Sequence, residues 1–408
     1  MGKTVSIALV GISGFGSSYV NRILNESKDG NIRLVAVVDI SPEKCGRLQE
    51  LRDMGAEVYS SLDSFYGSGG EADLVIIVSP IHFHAHHTLT ALENGSHVLC
   101  EKPAAATIQD AIRMAETGER LRKLVSIGYQ WSYSSAIQAL KSDAIAGVFG
   151  KPVRFKTFIS WPRSASYYTK RHWAARVKSE GGQWILDSPV HNATAHYLHN
   201  CFYILGKTRE TSSMPVDVQA ELYRANTIEN YDTAALRAHT EDGVEILHFV
   251  SHAVPSDIGP VISYEFERAT IIYERHASNT FIARSKSGSV KNYGDPEDGG
   301  REKFWTTVNA VRTGGKSLCD VRAAIPQMLC ANGAQESMEV VNFPDTLVRK
   351  TGSQEDPLTV VNGLQAALLQ CFNLGILPHE HGGVHWARKS QLISLKGYRH
   401  FPSLLGNE

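Results

Sequence analysis

The chain has 408 residues, 42% of them hydrophobic and 20% charged, a globular composition too long for one ordinary core and suited to two domains. Its 41 basic and 42 acidic residues leave a net charge of −1, which gives no footprint for nucleic acid or an anionic membrane surface. The expected partner is a small molecule or another copy of the chain.

The first apolar run, 5–10, reads as a strand, followed by a glycine turn and a helical stretch near 17–25. That run is too short for a signal peptide, and none is expected. Gly2 and Ser6 fit a myristoylation pattern, but the segment reads as the start of a buried strand, so no modification is expected. Further strands are predicted at 32–39, 73–79, 97–101 and 124–128. The run from Asp73 to Ser79 is almost continuously apolar, as buried parallel strands are. Strands alternating with helices over 1–128 predict a doubly wound parallel sheet, a Rossmann-type domain.

The pattern changes from Val153. Long strands of near-alternating residues are predicted at 153–161, 216–224, 234–239, 244–252, 261–267 and 270–274, with helices near 190–205 and 302–311. Residues 129–408 therefore read as an α+β domain built on a large, mostly antiparallel open sheet. The stretch 320–380 looks more helical, and 357–374 reads as an amphipathic helix. Six cysteines are scattered without zinc or disulfide spacing, which points to a reducing cytoplasm. No run is long and apolar enough to span a bilayer.

Gly11-Ile12-Ser13-Gly14-Phe15-Gly16 lies between the first strand and the first helix. Glycines there let the backbone approach a pyrophosphate, and the helix N-terminus offers N–H donors. Ser13 replaces the middle glycine of the usual G-x-G-x-x-G pattern, and its Cβ crowds the turn. Asp39, closing the second strand, stands where a carboxylate accepts from the adenosine ribose. It would repel a 2′-phosphate, so NAD(H) is favoured over NADP(H).

Three further segments carry a likeness: Ser79-Pro80-Ile81-His82-Phe83-His84, Cys100-Glu101-Lys102-Pro103, and Gly181-Gly182 running on to Asp187-Ser188-Pro189-Val190-His191. Together they resemble the glucose–fructose oxidoreductase/inositol dehydrogenase (Gfo/Idh/MocA) family. The resemblance covers the first domain and extends to about Gly206. It implies carbohydrate-type substrates, and a homodimer or homotetramer formed through the open C-terminal sheet. It places Gly11, Ser13, Gly14, Phe15, Gly16 and Asp39 around the dinucleotide, and Ser79, Pro80, His84, Glu101 and Gln130 on the nicotinamide side. Lys102, Asp187 and His191 would line the reacting centre, with Lys102 touching both cofactor and substrate.

Oxidising an alcohol requires a base for its proton and a donor for its oxygen. Ser188-Pro189 is a good helix start, which sets Asp187 and His191 around one first turn. The positive helix end would favour an ionised Asp187 and a neutral His191 able to act as base, with Lys102 donating to the substrate oxygen or sharing the proton relay. Trp161, Arg163, Tyr167, Tyr168, His172, Trp173 and Arg176 form an aromatic and basic stretch suited to sugar faces and hydroxyl or carboxylate groups; a subunit contact is the alternative. His82, His84, His86 and His87 invite a metal, but no Cys, Asp or Glu completes a set and none is expected. His196 and His199 read as helix-surface or interface residues. The resulting expectation is a sugar or polyol dehydrogenase or reductase. A redox-neutral enzyme working through a transient keto-sugar, and a non-catalytic dinucleotide sensor, remain as alternatives.

Overall fold

Strands that are apolar on both faces need a layer on each side, and the first sheet is built that way. The computed structural model describes residues 3–27 and 30–403; Met1 and Gly2, which carried the myristoylation pattern, lie outside them. The first sheet holds β1 (Val5–Val10), β2 (Ile32–Val38), β3 (Glu57–Tyr59), β4 (Leu74–Ile77), β5 (His97–Cys100) and β6 (Val125–Ile127). All pairs are parallel, in the order β3-β2-β1-β4-β5-β6. Helices α1 (Gly16–Glu26), α2 (Leu48–Asp53), α3 (Leu62–Gly67), α4 (Ile81–Glu93) and α5 (Ile108–Leu121) make the crossovers. This is the doubly wound Rossmann arrangement.

After α6 (Ser135–Ile145) comes the second sheet, of ten strands. It contains β7 (Pro152–Ser160), β8 (Pro215–Arg224), β9 (Thr233–Thr240), β10 (Glu245–Ser251), β11 (Ile258–Phe266), β12 (Ala269–Glu274), β13 (Phe281–Ser285) and β14 (Val290–Gly294). The order is β14-β13-β12-β11-β7-β10-β9-β8, with short strands Val341–Asn342 and Leu392–Ser394 added at β8. Most pairs are antiparallel; β7 and β10 run parallel at the centre. The helices of this part are α7 (Ala165–Thr169), α8 (Ala195–Ile204), α9 (Gly299–Thr313), α10 (Val321–Ser337) and α11 (Leu364–Leu374).

Alternation along each strand divides this sheet into two faces. Phe155, Ile159, Leu236, Ile246 and Tyr264 point inward, into the core shared with α8 and α10. Phe158, Tyr223, Leu247 and Phe249 point outward, and this face is covered over its centre by Leu364, Leu368, Cys371 and Phe372 of α11. The face that was expected to be open is therefore partly closed by the chain itself. The predicted helix 357–374 divides into a strand, Pro357–Val361, and α11; Gly363 between them has φ 76, which starts the helix afresh. His199, expected at a surface, is buried and stacked on Tyr129 with ring centroids 3.9 Å apart.

Two helices that follow the second sheet return to the first. α9 inserts Phe304 and Val308, one turn apart, against Ile7, Leu9 and Leu99. On its inner side Lys303 meets the Glu101 carboxylate, both groups buried. α10 donates from Gln327 to the Val190 carbonyl (2.9 Å) and accepts at Asn332 from the Ile108 N–H (2.8 Å), so it spans both sheets. Removing one partner of a buried ion pair strands the other charge, at a cost of about 3–5 kcal/mol. Lys303→Met is accordingly expected to lose that much stability in urea denaturation, and adding Glu101→Gln should restore more than half. A Lys303→Met loss below about 1 kcal/mol would show that the pair does not join the two units.

Candidate active site

The predicted dinucleotide residues gather at the C-terminal edge of the first sheet, where doubly wound folds bind ligands. Gly11 follows β1 with φ 84, and a Cβ there would stand 2.9 Å from the Val78 carbonyl oxygen. A Cβ on Gly16 would stand 2.2 Å from the Gly11 carbonyl oxygen, so only glycine lets α1 start this close to β1. Gly14, with φ 55, faces open space. Asp39 closes the turn from the next strand, accepting from the Ile12 N–H (2.9 Å) and the Ser41 N–H (2.9 Å). Beside it Phe15 and Ile40 are 59% and 89% exposed, apolar surface that the fold leaves unburied around the turn. A glycine turn without side chains, an anchored carboxylate and bare apolar flanks fit a dinucleotide with its adenosine end at Asp39.

The nicotinamide-side residues end the neighbouring strands. Ser79 and Pro80 lead into α4, and Gln130 follows β6, its backbone packed so closely on Gly299 that a Cβ there would come within 2.1 Å of the Gln130 oxygen. His84 is buried and braces two turns, its Nδ1 2.7 Å from the Pro103 oxygen and its Nε2 2.8 Å from the Ser79 oxygen. Glu101 accepts from the Tyr19 hydroxyl (2.7 Å) and from Lys303. Burial opposes its charge, yet the Lys303 ammonium and these donors hold its carboxyl below the usual range.

Lys102, next in sequence, turns towards the second unit. Its Nζ donates to the Asn192 carbonyl oxygen (2.7 Å) and to Asn192 Oδ1 (2.8 Å). Asn192 Nδ2 in turn donates to Asp187 Oδ1 (2.7 Å). Ser188 caps the short turn Pro189–Ala193, accepting from the His191 N–H at 3.1 Å, as its sequence suggested. Asp187 Oδ2 accepts from the Ala175 N–H at 2.6 Å. Ala175 (φ 54) and Leu186 (φ 53) are both held in the left-handed region without being glycine, strain of about 1–3 kcal/mol each that surrounding structure must offset. Backbone strain therefore concentrates on the placement of Asp187.

Burial sets the charges of this group. It lowers the Lys102 amine to about 8, against the pull of Glu101 and Asp187. It raises the Asp187 carboxyl to about 6, although the Ala175 and Asn192 bonds and the Lys102 charge favour its ionised form. The helix end was expected to keep Asp187 ionised; desolvation raises its carboxyl, but at about 6 it stays ionised at neutral pH. His191 falls to about 4, again through burial, so it is neutral as expected. Its Nε2 lies 3.1 Å from the Ala105 oxygen, which requires the proton on that nitrogen. Nδ1 is then a free lone pair, buried and without a partner.

Residues 5–129 match the profile of the Gfo/Idh/MocA group, described as an oxidoreductase family with an NAD-binding Rossmann fold. This domain belongs to the Gfo/Idh/MocA oxidoreductases. The chain is 28% identical over 229 residues to glucose-6-phosphate 3-dehydrogenase of Bacillus subtilis strain 168, covering 53% of the chain and 63% of that protein. It is 32% identical over 164 residues to inositol 2-dehydrogenase of Rubrobacter xylanophilus, covering 40% of the chain and 45% of that protein. The chain thus spans less than two thirds of these relatives' length. The second sheet also has a solved counterpart. The WlbA dehydrogenase of Bordetella pertussis, in complex with NADH and UDP-GlcNAcA, superposes with a TM-score of 0.67 at 20% identity, covering 82% of this chain and 98% of that one.

The predicted aromatic stretch divides. Tyr168, with Tyr167 and His252, lines a small cavity of about 10 Å³ whose wall includes Asp187 and Ser188. Trp161 and Arg163 follow β7 directly, and Arg163 lies against both the Trp161 and the Tyr167 rings. Trp173 is half-buried, while the exposed Arg176 pairs with Glu229. A much larger cleft, about 1070 Å³, lies at the opposite end of the first sheet around His97, Leu124 and Val125, and holds none of these residues. His86 is exposed and 3.7 Å from Asp63; among the described residues no three metal-ligating side chains converge. Sequence reasoning did not reach Asn192 or Lys303. Asn192 directly follows His191, and that adjacency was a usable signal; a single lysine in a helix was not.

A carboxyl raised by burial opposes folding in its charged form. Asp187 contributes full stability below its unfolded value of 3.8, and this is lost as pH rises through about 6. Asp187→Asn should therefore be more stable than the parent at pH 8, by on the order of 2 kcal/mol, and show no gain at pH 3. Thermal unfolding at both pH values measures this; an equal change at both would place the effect in packing instead.

Proposed function

We propose that the protein is an NAD-dependent oxidoreductase that interconverts a hydroxyl and a keto carbon of a sugar, polyol or sugar derivative. The observation that carries this reading is the Lys102–Asn192–Asp187 chain, which starts at the residue after Glu101, itself joined to Tyr19 of the helix that follows the glycine turn. Bound at that turn, the nicotinamide supplies the acceptor or donor of the substrate's hydride.

The protein's own part is the proton. A neutral lysine amine has two N–H bonds and one lone pair. Asn192 accepts both N–H bonds, so the lone pair of Lys102 is left to take the substrate's hydroxyl proton. The resulting ammonium keeps those bonds and gains the nearby Asp187 carboxylate as a counter-charge, joined through Asn192. In the reverse direction the same ammonium returns a proton to the carbonyl oxygen. A group titrating near 8 suits this exchange at neutral pH. His191, near 4, is too weak a base to hold the proton; its free Nδ1 can accept a hydrogen bond from a second substrate hydroxyl. The reading thus moves the proton from His191, where the sequence suggested it, to Lys102.

The finer expectations belong to the same reading. The Asp39 carboxylate at the ribose position favours NAD over NADP. Six buried free thiols suit a cytoplasmic setting; no described helix is long and apolar enough to cross a membrane. Pairing of copies through the second sheet would use the β12–β13 side, where Ile272 and Ile282 remain half-buried beyond the cover of α11.

Nicotinamide absorbance, followed with NAD and NADP across sugars, polyols and sugar acids, tests the proposal. NAD should be preferred, and oxidation should accelerate as pH rises through about 8. Lys102→Met should cost about 10²–10⁴-fold in kcat with nucleotide affinity retained. Full turnover in that variant would contradict the assignment. Silence of the parent protein across the panel, with nucleotide bound, would favour redox-neutral chemistry or a sensor.

A further inference from the structure

Around the end of β7 the protein concentrates cations that it does not neutralise. Arg163 Cζ lies 4.9 Å from the Tyr167 ring centroid and 5.8 Å from that of Trp161. Arg171 lies 4.7 Å from the same Tyr167 ring, and Arg275 5.8 Å from Trp161. Among the described residues, none of these three guanidinium groups pairs with a carboxylate. Elsewhere the chain pairs its arginines readily, as in Arg154–Glu245, Arg237–Glu380, Arg322–Glu119 and Arg399–Glu116. The nearby Asp356 is bonded to Ser164 and Ser166, and Asp187 to Ala175 and Asn192.

Two buried donors point the same way. Arg163 Nε and the Tyr168 hydroxyl both lie out of solvent with no hydrogen-bond partner in the protein. Native proteins seldom leave such groups unmatched unless something else meets them. The position is connected to the reacting centre, because Tyr167 and Tyr168 share one cavity wall with Asp187. Aromatic planes beside a guanidinium fork suit a ligand with an apolar ring face and a trigonal or tetrahedral anion.

We infer that the substrate is an anionic sugar derivative whose carboxylate or phosphate is seated on Arg163, between Trp161 and Tyr167. Tyr168 supplies a second donor, and Arg171 and Arg275 raise the local positive field at the rim. The anion is bound at a distance from Lys102, so it orients the sugar and takes no part in the proton step. The inference rests on the site assigned under the proposed function and names its substrate class.

The test uses the NADH-saturated protein and a set of common hexoses, each as neutral sugar, uronate and 6-phosphate, with binding read by calorimetry and turnover by absorbance. At least one charged member should bind ten-fold or more tighter than its neutral parent; whether uronate or phosphate does so identifies the anion. Arg163→Gln should remove that advantage while weakening neutral sugars far less than charged ones, and Arg163→Lys should restore part of it. Arg171→Gln, at an exposed position, should give a smaller loss in the same direction without disturbing the fold. Charged and neutral members binding alike, no charged member binding, or an equal loss for both in Arg163→Gln would each overturn the inference. Anion binding that depends on Arg163 without any nucleotide turnover would instead count against the redox reading alone.

Discussion

The buried contact of Glu101 with Lys303 is the constraint on which the rest of the site depends. Glu101 ends β5 and is followed at once by Lys102. Its other oxygen contacts include the Tyr19 hydroxyl, on the helix that opens with the glycine turn. Lys303 belongs to α9, which has already passed through the second sheet, and its ammonium lies 5.8 Å from the Phe15 ring centroid in that same turn. One ion pair therefore links the dinucleotide turn, the lysine and the helix that returns to the first sheet after the second. Gly128 allows this packing, since a Cβ there would stand 2.7 Å from Glu101 Oε2. An isolated buried carboxylate would be intolerable; paired, it fixes position in a way an exposed pair cannot.

The same low-dielectric setting orders the proton affinities of the reacting group. Desolvation brings the lysine down and the aspartate up, so the gap between them narrows from its value in water. The lysine, near 8, and the aspartate, near 6, are joined by one asparagine and carry opposite charges at neutral pH. His191, like the lysine, is driven down, out of the range in which it would be charged near neutral pH, and becomes a fixed acceptor. Environment, rather than residue type, distributes the roles.

Much of this was legible in the sequence wherever a local rule and the tertiary structure agree. The apolar run at β4 needs cover on both faces and has it. The turn from Gly11 to Gly16 requires glycine for two separate reasons, positive φ and close backbone approach, and both recur in the structure. Ser188 and Pro189 announced a turn that exists. What was hidden depends on distant partners. Lys303 is separated from Glu101 by 202 positions, and no periodicity marks a lysine that faces inward. The stretch 357–374 looked like one helix because Val361, Leu364 and Leu368 recur at helical spacing, while the left-handed Gly363 breaks it. His199 looked superficial because α8, enclosed on nearly all sides, carries no polar stripe to read.

The ionisation of Lys102 tests the central claim most directly. Carbon NMR on protein labelled at the lysine ε-carbons, with the resonance assigned by its loss in Lys102→Arg, follows that one amine as pH is raised. The account predicts a midpoint near 8 for that resonance, distinct from Lys141, the other lysine that burial lowers, to about 7. A midpoint at the ordinary lysine value of 10.5 or higher would mean an amine charged throughout the physiological range, and Lys102 could not be the group that takes the substrate's proton.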